Sequence, residues 1–212
     1  MLFLDELSEF ARPTLEALRQ PLEDGRVAIV RARHSAVYPA RFALIAATNP
    51  CPCGYLGEGE RCRCTEADLA RHRRRLSGPL LDRIDLVARL ERPRGRERGG
   101  QGAASPNSAR ARERVLGARE RQSARLREEG VGTNAQMDAR MLRRHVALSD
   151  GAERLLRDAQ ERGAMSARGI ARALRVARTA ADLAGSARTR ERDVSLALSL
   201  RPQDGSSSRR AA

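Results

Sequence analysis

The chain has 212 residues, which is enough for one large or two small domains with a hydrophobic core. Its formal net charge of +14, carried entirely by arginine among the strong bases, favours a polyanionic partner such as nucleic acid, although codon bias in a GC-rich genome would give the same excess. An aromatic content of 2% argues against base stacking as the main contact. No apolar run approaches the roughly 20 residues of a membrane span, so we expect a cytoplasmic protein without a membrane partner.

The first seven residues form an apolar run that ends in two acids, Asp5 and Glu6. This pattern is typical of a buried parallel strand that presents carboxylates to a ligand at its C-terminal end. It matches the Walker B motif of P-loop ATPases, in which one acid holds Mg²⁺ and the next polarises the water that attacks ATP. The alternative is a solvated strand end. No G-x-x-x-x-G-K-[ST] loop occurs in the sequence, so we expect it to begin within a nucleotide-binding domain.

A helix from Pro13 to about Gln20 is predicted next, followed by Gly25 and a β-hairpin with strands at 27–30 and 36–38. The hairpin carries four basic residues, Arg26, Arg31, Arg33 and His34. An ordinary solvated hairpin and a basic finger that contacts DNA explain this pattern equally well.

A second apolar run, at 42–47, predicts a strand that is covered on both faces and ends at Thr48, Asn49 and Pro50. If this strand lies parallel to the first, Asn49 faces the same crevice as Asp5 and Glu6.

The four cysteines of the chain form two close pairs in a glycine-rich stretch, Cys51, Cys53, Cys62 and Cys64. Four thiolates can close one tetrahedral Zn²⁺ site, and in a reducing compartment such clustering favours metal over disulfides. The alternative is a set of reduced thiols in a flexible loop. A nucleophilic role is not favoured, because the nearest histidine in sequence, His72, lies within an arginine run.

Thr65 and Asp68 have the spacing of a capping box and predict a helix that reaches about Leu76. A turn, a short helical segment and a strand at 86–90 are predicted to follow. Arg83, at that junction, either pairs with Asp82 or Asp85 or reaches a phosphate on a neighbouring subunit.

The composition predicts a domain at 1–91, a flexible linker at 92–108, a helical domain at 109–201 and a disordered tail at 202–212. The helical domain is expected to contain helices at 109–129, from a cap at Asn134 to 145, from a cap at Asp150 to 162, from a cap at Ser166 to about 184, and at 191–200. Arg168 lies in the first turn of the fourth of these helices. A cation there opposes the helix dipole, which makes Arg168 a candidate phosphate ligand.

Six stretches together resemble the bacterial Mg-chelatase-like AAA+ ATPases of the YifB/ComM family: FLDEL at 3–7, PARF at 39–42, NPCPCGYLG at 49–57, CRC at 62–64, LSGPLLDRIDL at 76–86 and LRVART at 174–179. The resemblance covers residues 1 to about 201. It implies an α/β plus all-α architecture, namely the C-terminal half of an AAA+ P-loop core followed by a helical lid.

The resemblance also implies roles for individual residues. Asp5 and Glu6 match the Walker B acids, Asn49 the sensor 1 residue, Arg83 the arginine finger and Arg168 the sensor 2 residue on the lid. The hairpin at 26–38 matches the pre-sensor 1 insertion, which projects toward DNA in related helicases.

Members of the family assemble as hexameric rings that bind ATP and Mg²⁺ between subunits. The ComM members drive branch migration of DNA during natural transformation. Two alternatives stay open: a basic, zinc-stapled DNA-binding or interaction module without ATPase activity, and a chelatase-type motor.

Overall fold

The computed structural model describes residues 1–31, 34–90, 107–162 and 165–201. These residues form two compact units, one from Met1 to Ile84 and one from Asp85 onward. The predicted linker core at 92–106, Arg33 and the predicted tail lie outside the described residues. Within the described ranges, no helix has the length and apolar character needed to cross a membrane.

The first unit mixes strands and short helices. In chain order its elements are β1 (Leu2–Leu4), α1 (Arg12–Ala17), α2 (Arg19–Asp24), β2 (Arg26–Arg31), β3 (His34–Pro39), β4 (Leu44–Ala46), α3 (Glu66–Arg75) and α4 (Gly78–Leu81). Short 3₁₀ turns lie at Leu7–Glu9 and Gly59–Arg61. Its core is a leucine cluster, with Leu7, Leu15 and Leu80 buried and Leu4, Leu18, Leu22 and Leu76 packed around them.

β1 and β4 pair in parallel, with Leu2 opposite Leu44, Phe3 opposite Ile45 and Leu4 opposite Ala46. The predicted coverage of β4 on both faces is wrong for this chain, since Ile45 is 48% exposed and Phe3, opposite it, is 58% exposed. The reason is that, among the described strands, β1 and β4 pair only with each other, and the described residues place no layer over the face that carries Phe3 and Ile45.

The helical segment after Pro13 is longer than predicted and is interrupted near Leu18. Pro21 lacks an N–H and cannot bond to the carbonyl of Ala17, so the helical ladder breaks there and restarts as α2. Gly25 ends α2 in the left-handed conformation, with φ of 65°, as the sequence predicts.

The predicted hairpin is confirmed, with strands longer than expected. β2 and β3 are antiparallel, and Arg31 lies opposite His34 across the turn. The capping box of α3 is also confirmed: the Thr65 hydroxyl accepts from the Asp68 N–H, and the Asp68 carboxylate accepts from the Thr65 N–H.

The second unit is helical. Its helices are α5 (Ser108–Leu126), α6 (Ala139–His145), α7 (Asp150–Glu161), α8 (Ala167–Leu183) and α9 (Glu191–Ser199), with 3₁₀ turns at Arg127–Glu129 and Asn134–Gln136. α8 lies at the centre and contacts α5, α6 and α9. One apolar cluster joins α7, α8 and α9 through Leu156, Ala177 and Val194, and a second surrounds Leu126, Met137 and Leu142.

Three sequence predictions about this unit need correction. The strand predicted at 86–90 is absent, because the Val87 N–H donates to the carbonyl of Leu200 rather than to a sheet neighbour. Asn134 does not cap α6: that role belongs to Asp138, which accepts from the Met141 N–H. α7 is capped by Ser149, one residue before the predicted Asp150.

Candidate functional site

The carboxyl ends of β1 and β4 bring the predicted Walker B acids and the predicted sensor 1 residue to one edge of the parallel pair. The Ala47 N–H donates to the Leu4 carbonyl at 2.9 Å, and the Leu7 N–H donates to the Ala47 carbonyl at 2.8 Å. The ladder therefore continues through the turn that carries Asp5 and Glu6. The predicted parallel pairing is confirmed, while the catalytic roles stay predictions.

Glu6 has the left-handed backbone conformation, with φ of 50° and ψ of 45°. Among the described residues it is the only non-glycine residue with positive φ. The Asp5 carboxylate accepts from the Glu6 N–H at 2.9 Å, which helps to hold this turn. Such a conformation costs roughly 1–2 kcal/mol for an L-residue and is concentrated at functional sites. Both carboxylates are exposed, so a cation can reach their oxygens.

Asn49 is held from a direction that the sequence analysis missed. His72 on α3 donates from Nε2 to the Asn49 carbonyl, with 2.9 Å between the two atoms. Gly54 lies near the amide side chain, since a Cβ added there would be 3.9 Å from Asn49 Oδ1. The sequence did contain one usable signal. Asn49 lies just before Cys51 and α3 begins just after Cys64, so convergence of the cysteines brings α3 close to Asn49.

The four cysteines converge as predicted. Their sulfur atoms lie within 4.8 Å of one another, with Cys51–Cys53 at 3.4 Å, Cys53–Cys62 at 3.7 Å and Cys51–Cys62 at 3.9 Å. Four thiolates about 2.3 Å from one tetrahedral Zn²⁺ lie about 3.8 Å apart, so the observed spacing fits one such ion. A disulfide needs about 2.05 Å, and all four cysteines are free.

The loop between the cysteine pairs is folded rather than open. Cys51 is fully buried, and Arg61 stacks over the Tyr55 ring with its guanidinium carbon 4.7 Å from the ring centroid. The loop therefore presents the sulfur atoms as a set, which a flexible chain of reduced thiols would not do.

The thiols have divergent acidities. The backbone N–H of Tyr55 lowers the pKa of Cys53 to about 6, against the opposing effect of burial. The backbone N–H of Cys53 favours ionisation of Cys64, but the hydrogen bond between the two thiols, together with burial, raises the pKa of Cys64 to about 12. One thiolate thus suppresses ionisation of its neighbour. A divalent cation would remove that repulsion, which is how a metal site binds with release of protons.

Arg83 forms an ion pair with Glu23 on α2. Its other terminal nitrogen donates to the Pro79 carbonyl at 2.7 Å. Glu23 lies 60 residues away in sequence and is not one of the two aspartates that the sequence offered as partners. A role toward a neighbouring subunit stays a prediction.

The remaining predicted residues occupy exposed positions. Arg26, Arg31 and His34 lie on the hairpin, and Arg33 falls outside the described residues. Arg168 lies in the first turn of α8, whose N-cap Ser166 accepts from the Gly169 N–H at 3.2 Å as predicted.

A mixed α/β unit with acids and an asparagine at neighbouring parallel strand ends, followed by a helical unit, has the layout of part of an AAA+ ATPase module. Comparison with known families agrees with this class. Residues 1–98 match the family described as magnesium chelatase, subunit ChlI, and residues 105–201 match the ChlI C-terminal family. The chain belongs to the Mg-chelatase-like ATPase family and is a partial region of the YifB/ComM type.

Three relatives illustrate the similarity. An uncharacterised protein of Mycobacterium tuberculosis is 44% identical over 202 residues, which is 95% of this chain and 39% of the relative. The uncharacterised protein YifB of Salmonella typhimurium is 38% identical over 183 residues, 86% of this chain and 35% of the relative. The competence protein ComM of Haemophilus influenzae is 39% identical over 202 residues, 95% of this chain and 38% of the relative. The chain thus spans about two fifths of the length of these relatives.

Proposed function

We propose that the chain is the Walker B, sensor and lid region of a hexameric ATPase that hydrolyses ATP between subunits to drive branch migration of DNA during natural transformation. The observation that carries this proposal is the parallel pairing of β1 and β4, which brings Asp5, Glu6 and Asn49 to one sheet edge. One relative is named as a competence protein, which supports the choice of DNA as substrate.

Each residue has a definite task in this proposal. Asp5 offers a carboxylate to the Mg²⁺ that accompanies ATP, and that ion neutralises charge on the phosphates. Glu6, whose backbone has the left-handed conformation, accepts a proton from the attacking water. Asn49 orients the same water through its side-chain amide. His72 fixes the backbone of Asn49 through the 2.9 Å bond to the carbonyl.

The two arginines act on the phosphates. Arg83 stabilises the charge that develops on the γ-phosphate in a neighbouring subunit, after release from Glu23. Arg168 contributes a second positive charge from the start of α8.

The cysteine cluster is proposed to hold one structural Zn²⁺ through Cys51, Cys53, Cys62 and Cys64. The metal would close the loop that connects Asn49 with α3. Its chemistry is structural, because four protein thiolates leave no open position for water.

DNA contact is assigned to the hairpin residues Arg26, Arg31, Arg33 and His34. The test is ATP turnover and branch migration by the full-length protein, with and without branched DNA. The variant Arg26→Ser/Arg31→Ser should lose DNA stimulation and keep its DNA-independent turnover, whereas Arg110→Ser/Arg112→Ser at the exposed start of α5 should retain both. If branched DNA does not change the rate of ATP turnover by the unsubstituted protein, the proposal is contradicted.

A second candidate is a zinc-stapled DNA-binding module without ATPase activity. Two observations favour it, namely the convergence of the four cysteines and the basic residues of the hairpin. It predicts salt-sensitive DNA binding that nucleotide does not alter. The family description favours a third candidate, a chelatase-type motor, for which a metal-insertion partner rather than DNA would stimulate turnover.

A further inference from the structure

The second unit contains a buried ionic network around Arg178 and Asp182 of α8. Arg178 is 1% exposed and Asp182 is 0% exposed, and the Arg178 Nη2 atom lies 2.9 Å from Asp182 Oδ1. Arg125 donates to both Asp182 oxygens, at 2.8 and 2.6 Å, and Asn134 donates to Oδ2 at 2.8 Å. The Asn134 amide also donates to the Thr179 hydroxyl at 3.0 Å.

The network fixes the loop that joins α8 to α9. Arg178 donates to the carbonyl of Ala187 at 2.7 Å, to the carbonyl of Ser186 and to the Thr189 hydroxyl at 3.3 Å. Thr189 is fully buried; its N–H donates to the Ala147 carbonyl, and its carbonyl accepts from the Ser149 N–H. This loop, residues 184–190, is therefore tied to the helix before it and to the start of α7.

A buried ion pair is a poor source of stability, because apolar residues of similar volume often serve as well or better. Unlike leucines, this network fixes the path of the loop backbone through hydrogen bonds. We therefore expect the function of the loop to lie in the side chains that it exposes.

Those residues line an open cleft of about 700 Å³. Four exposed arginines surround it: Arg154 from α7, Arg188 and Arg190 from the loop, and Arg192 from α9. Arg188 is steadied by a bond to the Leu148 carbonyl at 2.8 Å. Among the described residues no carboxylate lies within ion-pair distance of the Arg154 or Arg190 guanidinium, and Glu191 is the one acid in the lining.

The lining also indicates the class of ligand. Among the described residues that form the cleft, none has an aromatic or large aliphatic side chain; apart from the arginines and Glu191 they are serine, glycine and alanine. Protein partners are anchored mainly by aromatic and aliphatic side chains in pockets, whereas nucleic-acid backbones are bound by polar, positively charged surfaces. Guanidinium groups match phosphate oxygens in pairs.

We propose that this arginine cleft binds the phosphodiester backbone of a nucleic acid, without reading its sequence. It lies at the opposite end of α8 from Arg168, about 23 Å away at a rise of 1.5 Å per residue, so it is separate from the proposed nucleotide contact. It is also separate from the hairpin, which belongs to the first unit.

The test is binding of a fluorescein-labelled single-stranded oligonucleotide to the full chain, followed by fluorescence anisotropy over a range of salt concentrations. The cleft variant is Arg188→Ser/Arg190→Ser/Arg192→Ser. The matched control, Arg110→Ser/Arg112→Ser/Arg114→Ser, removes the same charge from exposed positions on α5. Thermal unfolding monitored by circular dichroism establishes that both variants are folded.

Each phosphate contact contributes about 0.7 to the slope of log affinity against log salt for a single strand. Loss of three contacts should therefore reduce the slope by about 2 and the affinity near 0.1 M salt by about 100-fold. The control should show a much smaller loss, because it removes only general attraction.

Equal losses in the cleft variant and the control would overturn the proposal, since binding would then follow net charge alone. Competition by polyglutamate as effective as that by unlabelled oligonucleotide would also overturn it, in favour of an acidic polypeptide ligand. The variant Arg26→Ser/Arg31→Ser separates the two DNA surfaces. If it abolishes binding while the cleft variant has no effect, the cleft assignment fails and the proposed role of the hairpin stands.

Discussion

Asp182→Asn is the substitution that should most weaken the second unit. The Asp182 carboxylate is fully buried and accepts four hydrogen bonds, two from Arg125, one from Asn134 and one from Arg178. The asparagine side chain has nearly the same shape, but it carries no charge and turns one acceptor oxygen into a donor. Arg178 is then a buried cation without its anion. In addition, one of the groups that donated to the Asp182 carboxylate now faces the N–H₂ group of the new amide.

Breaking a buried ion pair by removal of one partner costs about 3–5 kcal/mol. A domain of this size has a total stability of about 5–15 kcal/mol, so the loss is a large fraction of what holds the unit together. For a domain of about 100 residues each kcal/mol shifts Tm by about 4–8 °C, so we expect Tm to fall by more than about 12 °C.

The assay is urea unfolding of the full chain, monitored by the helical circular dichroism signal, with Asp158→Asn as the matched control. Asp158 lies on the exposed face of α7, and the same chemical change there should alter the free energy of unfolding by less than about 0.5 kcal/mol. A loss below about 1 kcal/mol for Asp182→Asn would refute the buried network. Addition of Arg178→Met to Asp182→Asn should cost less than the sum of the single substitutions, because the stranded cation is removed.

Three further predictions concern pH, metal and the asparagine loop. Burial raises the pKa of Asp182, but Arg125, Asn134 and Arg178 outweigh it and hold the pKa below its usual range. The stability that this carboxylate contributes should therefore be full above about pH 3.9 and be lost as the pH falls further. Urea unfolding should show this pH dependence in the unsubstituted protein and not in Asp182→Asn. Purified protein should contain about one equivalent of zinc by elemental analysis, and Cys51→Ser should lower it sharply, whereas metal-free folded protein would exclude the zinc site. His72→Leu should reduce the kcat of ATP hydrolysis by the full-length protein with little change in KM. His72→Gln can still donate to the Asn49 carbonyl and should retain much of the kcat. Equal losses of kcat in the two variants would argue against this positioning role.

Local signals in the sequence predicted much of the first unit. The hairpin, the capping box of Thr65 and Asp68, and the end of α2 at Gly25 depend on neighbouring residues, and all three are confirmed. The convergence of the cysteines is confirmed as well, since two close pairs on a short loop have few other ways to fold.

Features that depend on distant partners were harder to predict. Asparagine commonly caps helices, yet Asn134 is buried against Asp182, which lies 48 residues away in sequence. Nothing in the helical pattern of α8 indicated that Arg178 and Asp182 share the buried side with Ala177. The sequence offered Arg83 either a local aspartate or a phosphate as partner, and the pair with Glu23 forms only because α4 packs against the leucine core.

The exposed apolar residues Phe3 and Ile45 show a limit of another kind. A continuous apolar run predicts burial on both faces, but burial requires neighbouring strands or helices that the described residues do not supply.

The most direct test of the central claim compares ATP binding and ATP turnover by the full-length protein before and after Glu6→Gln. Glutamine preserves the size and hydrogen-bonding reach of the side chain but cannot accept a proton from water. The account predicts that nucleotide affinity is retained while turnover falls by at least about 100-fold, the range expected for loss of a general base. Turnover that persists at the original rate would contradict the role of Glu6 and, with it, the assignment of this sheet edge as the site of ATP hydrolysis.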